Sequence, residues 1–197
     1  MSSKYLFHGT SVYAMANIAH TDNLSEGAYW NKPGEPHGPR TTECFDVAKS
    51  FIEYACYWGE GGVIVLDREK LAQDFELVEY EDKTYDGNDF GQDEKEIAII
   101  TPEIINLSKY VIAYVIDPRV IEAAMDKDNL ESAVSDCGWV GDWGGVWGEE
   151  FGDQHLSACK TAMDALANSP FLNASPDFNC EDTLQGKWDF PTKSLGI

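Results

Sequence analysis

The amino-acid sequence predicts an α+β fold, and three observations carry that prediction. Short apolar runs of strand length recur between segments of helical period. These segments do not alternate as regular β-α-β units. No G-x-G-x-x-G follows a strand and no P-loop is present, so a doubly wound nucleotide-binding sheet is not indicated. A shift in composition divides the chain into residues 1–127, which hold the strands, and residues 128–197. The latter read as a mainly helical and irregular C-terminal extension packed on the first part.

Tyr5 to His8 reads as a strand entering a turn at Gly9-Thr10. Ser11 is placed to cap a helix whose Val12, Met15, Ala16 and Ala19 recur at helical spacing. Leu24 to Gly27 reads as a helix exit and turn, and Asn31 to Pro39 as a loop. Thr41 and Thr42 favour an extended backbone. Asp46 then caps a helix bearing Val47, Ala48, Phe51, Ile52 and Ala55, which Gly61-Gly62 stops. Val63 to Leu66 is apolar and β-branched, as a central strand requires. Asp67 caps a short helix around Lys70 and Leu71. Phe75 to Tyr80 alternates as a strand, Glu81 to Gln92 is a polar loop, and Glu96 to Ile100 is a strand again.

Tyr110 to Ile116 gives the clearest strand signal. Pro118 then stands at the first position of a helix running through Ala124. Gly138 to Gly152 carries Trp139, Trp143 and Trp147 among six glycines, and is expected to pack against the preceding domain. A helix is expected from about His155 to Asn168, with Leu156, Cys159, Met163 and Leu166 on one face. The tail from Ser169 has no clear period.

Charge narrows the functional classes. Lys and Arg total 14 and Asp and Glu total 35, giving a formal charge of −21. A nucleic-acid backbone is repelled by such a field, whereas a basic protein surface is attracted. The five cysteines are widely spaced with no C-x-x-C, so neither a zinc knuckle nor a redox motif is written. His155 has Glu150 and Asp153 nearby but no further ligand at metal spacing, so no metal is expected. No apolar run approaches membrane-spanning length and no secretory leader is evident. A reducing, cytoplasmic setting is therefore expected, the host cytoplasm if the source is viral.

Four local features fall in a fixed order. Phe7-His8-Gly9-Thr10 ends a strand. Thr41-Thr42-Glu43 is extended and precedes the helix with Ala48 and Phe51. Val63 to Asp67 is a core strand. Glu94-Lys95-Glu96 opens another strand, followed by Tyr110 to Asp117.

This order resembles the ADP-ribosyltransferase superfamily in its histidine-type branch, over about residues 4 to 117. The resemblance implies split antiparallel β-sheets with flanking helices that pinch NAD⁺ between them. It implies that His8 contacts the adenosine-side ribose and that the Gly9 backbone holds the nicotinamide amide. Thr10 would support that segment, with Thr41 and Thr42 as the polar pair of the second motif. Phe51 would stack under the nicotinamide, and Glu96 would be the catalytic carboxylate. Glu94, two residues earlier, is similar to the first acid of an E-x-E pair and is a second catalytic candidate. Arg40 stands where such members often carry a tyrosine, and Phe51 also replaces a common tyrosine.

The chemistry fits these residue types. Cleaving the nicotinamide–ribose bond builds positive charge on the ribose, which a neighbouring carboxylate stabilises. An aromatic face suits the cationic nicotinamide ring. The implied activity is mono-ADP-ribosyl transfer from NAD⁺, with no metal, to a macromolecular acceptor, a protein with a basic surface being favoured by the charge. Two other readings remain: an acidic, non-catalytic inhibitor or nucleic-acid mimic that binds a basic host protein, and a transferase-like fold that binds NAD⁺ without turnover.

Overall fold

The computed structural model describes residues 3–26, 36–55, 61–80, 96–126, 128–130 and 153–174. The fold is mixed α+β, with a mostly antiparallel sheet and several helices. The loop at 81–92, the Trp/Gly-rich segment at 138–152 and most of the tail lie outside the described residues.

The first strand, β1 (Tyr5–Ser11), runs straight through Gly9 and Thr10, where a turn was expected. Pairing with the next core strand holds it extended for its full length, from Tyr5↔Asp67 to Ser11↔Gly61. Helix α1 (Val12–Thr21) follows at once, and the Ser11 hydroxyl accepts from the Ala14 N–H at 3.2 Å, as the cap reading required. Asp22 ends α1 in the left-handed region at φ 53°. The chain then forms a three-residue strand, β2 (Asn23–Ser25), in place of the expected turn.

Next come β3 (Arg40–Thr42) and α2 (Phe45–Ala55). Asp46 sits inside the first turn of α2 instead of capping it. The Gly61-Gly62 pair opens β4 (Gly61–Asp67), the central strand, so these glycines are strand residues and not helix stops. A Cβ at Gly62 would lie 2.6 Å from the Val115 carbonyl oxygen, so close strand approach explains the residue type. Asp67 caps α3 (Arg68–Asp74) by accepting from the Lys70 N–H at 3.1 Å. Phe75 closes that helix, so β5 starts two residues later than expected (Leu77–Tyr80). Then follow β6 (Glu96–Ile99) and β7 (Glu103–Ile105).

Tyr110 closes a 3-10 turn at Leu107–Lys109 instead of opening the next strand, β8 (Val111–Ile116). Pro118 takes the first turn of α4 (Pro118–Ala124), as expected, with Asp117 as its cap. From the C-terminal extension, α5 (Asp153–Ala167) and β9 (Leu172–Ala174) are described.

The main sheet has the order β5-β6-β3-β1-β4-β8-β9, and β2 pairs with β7 in a separate two-stranded sheet. All pairs are antiparallel except β8–β9, which is parallel and brings the extension into the main sheet. Each face of the sheet has a core. The larger one joins Leu6, Ile64, Leu66, Ile97, Ile99 and Ile116 to α1, α4 and α5, where Met15, Met163 and Leu166 are fully buried. The smaller one joins Phe7, Val63, Val65, Ala113 and Val115 to Ala48 and Ile52 of α2.

One polar cluster ties α3 to the turn before β8. The Asp74 carboxylate accepts from Lys109 Nζ at 2.5 Å and from the Tyr110 hydroxyl at 2.6 Å. The lysine bond first, then the tyrosine bond, holds the Asp74 carboxyl below its ordinary range. A depressed folded value means stability that is present above the unfolded value of 3.8 and is lost as pH falls through the folded one. Asp74 is 37% exposed, so the effect is small. Asp74→Asn is expected to lower the melting temperature near pH 7 by about 2 °C. Thermal scans should show that gap closing once the pH drops well below 4, because protonation then leaves the wild-type side chain as uncharged as asparagine.

Candidate functional site

Six of the site candidates, His8, Gly9, Thr10, Thr41, Thr42 and Glu96, lie on the three strands β1, β3 and β6. Phe7 stands opposite Thr42, and Thr42 opposite Glu96, so these residues form one cross-strand row. Directly paired residues share a face, and Phe7 belongs to the core beneath α2; Thr42 and Glu96 therefore leave the sheet on that side. Alternation turns His8, like Leu6, and Thr41, like its partner Ile97, toward the other side.

The joint between β1 and β3 is narrow. Phe7↔Thr42 is its single registered pair, and β1 continues through four more residues, His8 to Ser11, without a registered partner in β3. Across that joint His8 Nδ1 donates to the Arg40 carbonyl oxygen at 2.8 Å. A carbonyl only accepts, so the proton of a neutral imidazole must lie on Nδ1. Nε2 is then left as an acceptor, which suits a ribose hydroxyl. His8 is half-buried.

Arg40 also reaches the row from its side chain. Its Nε lies 3.7 Å from Glu96 Oε1, with the two side chains 19% and 23% exposed. His8 and Glu96 are thus linked through the backbone and side chain of one residue. Two strand spacings separate them, roughly 10 Å. From sequence, Arg40 reads only as an arginine in the place of a tyrosine; its position at this junction depends on strand order, which no local pattern encodes.

The threonines have work within the fold. Thr10, Thr41 and Thr42 are all buried. The Thr41 hydroxyl donates to the Ile97 carbonyl at 2.9 Å, clipping β3 to β6. Thr42 Oγ1 accepts from the Cys44 N–H at 3.1 Å, turning the chain toward α2. Glu43, the next residue, pairs with Arg68 at the start of α3. A few residues on, Asp46 has its carboxyl pushed above the ordinary range by burial, with Lys49 opposing.

Gly9 is required by α2. A Cβ built there would fall 1.9 Å from the Ala48 carbonyl oxygen and 2.9 Å from the Ala48 carbonyl carbon. Phe51 lies in the same helix, three residues beyond Ala48; its side chain is outside the described residues, as is Glu94. Among the described residues, no group of three or more His, Cys, Asp or Glu is placed to hold a metal ion. No helix among them is long and apolar enough to cross a membrane. Comparison with protein-family models, with curated proteins and with solved structures finds no match to this chain.

Proposed function

We propose that the chain binds NAD⁺ at the junction of β1, β3 and β6 and transfers its ADP-ribosyl group to a macromolecular acceptor, a basic protein being favoured. The observation that carries this reading is the His8–Arg40–Glu96 linkage, in which the two residues the ADP-ribosyltransferase resemblance singled out each contact Arg40, one at its backbone and one at its side chain. His8 and Glu96 leave the sheet on opposite sides, so a ligand touching both would have to reach across the β1–β3 joint beyond the Phe7–Thr42 pair. The imidazole Nε2 would accept from one ribose hydroxyl. The Glu96 carboxylate would stabilise the positive charge that develops on the other ribose as nicotinamide leaves.

Nicotinamide release from NAD⁺ by the purified protein tests the reading. Turnover is expected from the wild type and not from a His8→Ala/Glu96→Gln double variant. Equal rates, including equal absence of turnover, would remove the proposal.

The formal charge of −21 favours one second reading, an acidic binder of a basic protein surface without catalysis. It is supported if a basic partner is held in a complex that dissolves steeply with salt and is insensitive to both substitutions.

A further inference from the structure

The main sheet ends at β5 on the side nearest Glu96. In that sheet β5 pairs only with β6, and Tyr80 stands opposite Glu96. One bond fixes which backbone groups of β5 face outward. The Ile100 N–H donates to the Glu76 carbonyl at 2.9 Å, which extends the β5–β6 register by one pair beyond Leu77↔Ile99. Antiparallel partners alternate between bonded and non-bonded pairs. Val78↔Ala98 and Tyr80↔Glu96 are therefore bonded pairs, and Leu77 and Glu79 turn their N–H and C=O groups away from β6. Among the described residues nothing takes these outward groups. Such a row is a template for one more strand. The flank also has a sign, because Glu76 and Glu79 are exposed while Leu77 and Val78 are half-buried. A second copy of this chain, at a formal charge of −21, is repelled by its own kind. A strand bearing lysine or arginine sets opposite charge beside Glu79, and opposite charges directly across strands attract.

We propose that β5 is the docking edge for the acceptor. An extended basic segment adds to it as an eighth strand, bonded through Leu77 and Glu79. The residue of that segment opposite Tyr80 joins the cross-strand row of Glu96, Thr42 and Phe7. Its side chain then leaves the sheet on the Glu96 side, from a backbone two strand spacings away, roughly 10 Å. No covalent bond changes on docking. The proposal rests on the transferase reading for the partner's role as acceptor, and on the β5 edge alone for how the partner is held.

Calorimetry on the full chain tests this with a short peptide of alternating lysine and threonine, set against the same peptide N-methylated at every residue. Both carry the same charge, but only the first has the N–H groups that a strand ladder needs. The unmethylated peptide is expected to bind at least about tenfold more tightly. Glu79→Pro should weaken it by about tenfold, because proline lacks the outward N–H. The β5–β6 ladder should survive that change, since proline is tolerated where the N–H faces away from the sheet. Glu79→Gln keeps the N–H and loses only the charge, so a weakening of about twofold to threefold is expected. The docking edge is overturned if wild type does not bind millimolar peptide, if it binds both peptides alike, or if Glu79→Pro binds as wild type does. It is also overturned if ultracentrifugation finds a wild-type dimer that Glu79→Pro dissolves, because a second copy then fills the edge. Should Glu79→Pro not fold, the two peptides on wild type decide the outcome. The expected pattern in a protein that releases no nicotinamide would leave the edge standing and remove the transferase reading. Nicotinamide release without that pattern would remove the edge alone.

Discussion

Glu96→Gln is expected to lower the rate of nicotinamide release from NAD⁺ by at least about 100-fold, and by as much as about 1000-fold. The substitution keeps the shape of the side chain and removes its charge. What is lost is an interaction that matters only as the glycosidic bond stretches and the ribose becomes cationic, so the loss should fall on kcat. KM should not rise, because the substitution adds no negative charge and keeps the side chain's size. The fold should tolerate it. Glu96 is the first residue of β6, partly exposed, and its register with Thr42 is set by the backbone. A melting temperature within about 4 °C of wild type is therefore expected. A fall in kcat with KM unchanged or reduced bears out the assignment. A variant that turns over at the wild-type rate would show that the carboxylate is a surface acid and nothing more.

Gly9→Ala carries the largest expected structural effect. Only one methyl group is added, but it would sit 1.9 Å from the backbone oxygen of Ala48. No rotamer relieves this, since the colliding atom on each side is fixed to a backbone. Either α2 must lift from the sheet or β1 must shift against β4. Lifting α2 would disrupt the small core of Phe7, Ala48, Ile52, Val63 and Val65. A destabilisation of about 3 kcal/mol or more follows. For a chain of this size that corresponds to a fall of roughly 6–12 °C in melting temperature. Far-ultraviolet circular dichroism melts would measure it. A wild-type melting curve would mean that α2 does not pack on β1 as described. Because α2 also leads on from the Thr41–Thr42 segment, NAD⁺ binding should weaken together with stability.

The parts of the fold written in local pattern were legible. Ser11, Asp67 and Pro118 mark helix starts because capping is decided by a few neighbouring atoms. Val63 to Leu66 and Val111 to Ile116 are apolar enough to declare buried strands. What was missed depends on distant partners. Asn23–Ser25 and Glu103–Ile105 are too short to show any period; each is a strand only because it pairs with the other. Gly9 and Thr10 look like a turn in isolation, and β4 alone keeps them extended. At the site, residue types could nominate His8 and Glu96, yet the arginine between them was invisible as a junction. That role requires β3 to lie between β1 and β6.

The parallel pairing of β8 with β9 bears on how the molecule is made. Ile116 leaves the ribosome 56 residues before Leu172, its neighbour strand's first residue. At ordinary synthesis rates that interval is about 3–10 s, long against the microsecond closure of a hairpin. Through that time an apolar strand waits with one flank unfilled, and α1 waits for α5. Nascent chains are thus exposed to aggregation once β8 has emerged, and chaperone demand should peak before Asp153–Ala167 and Leu172–Ala174 follow.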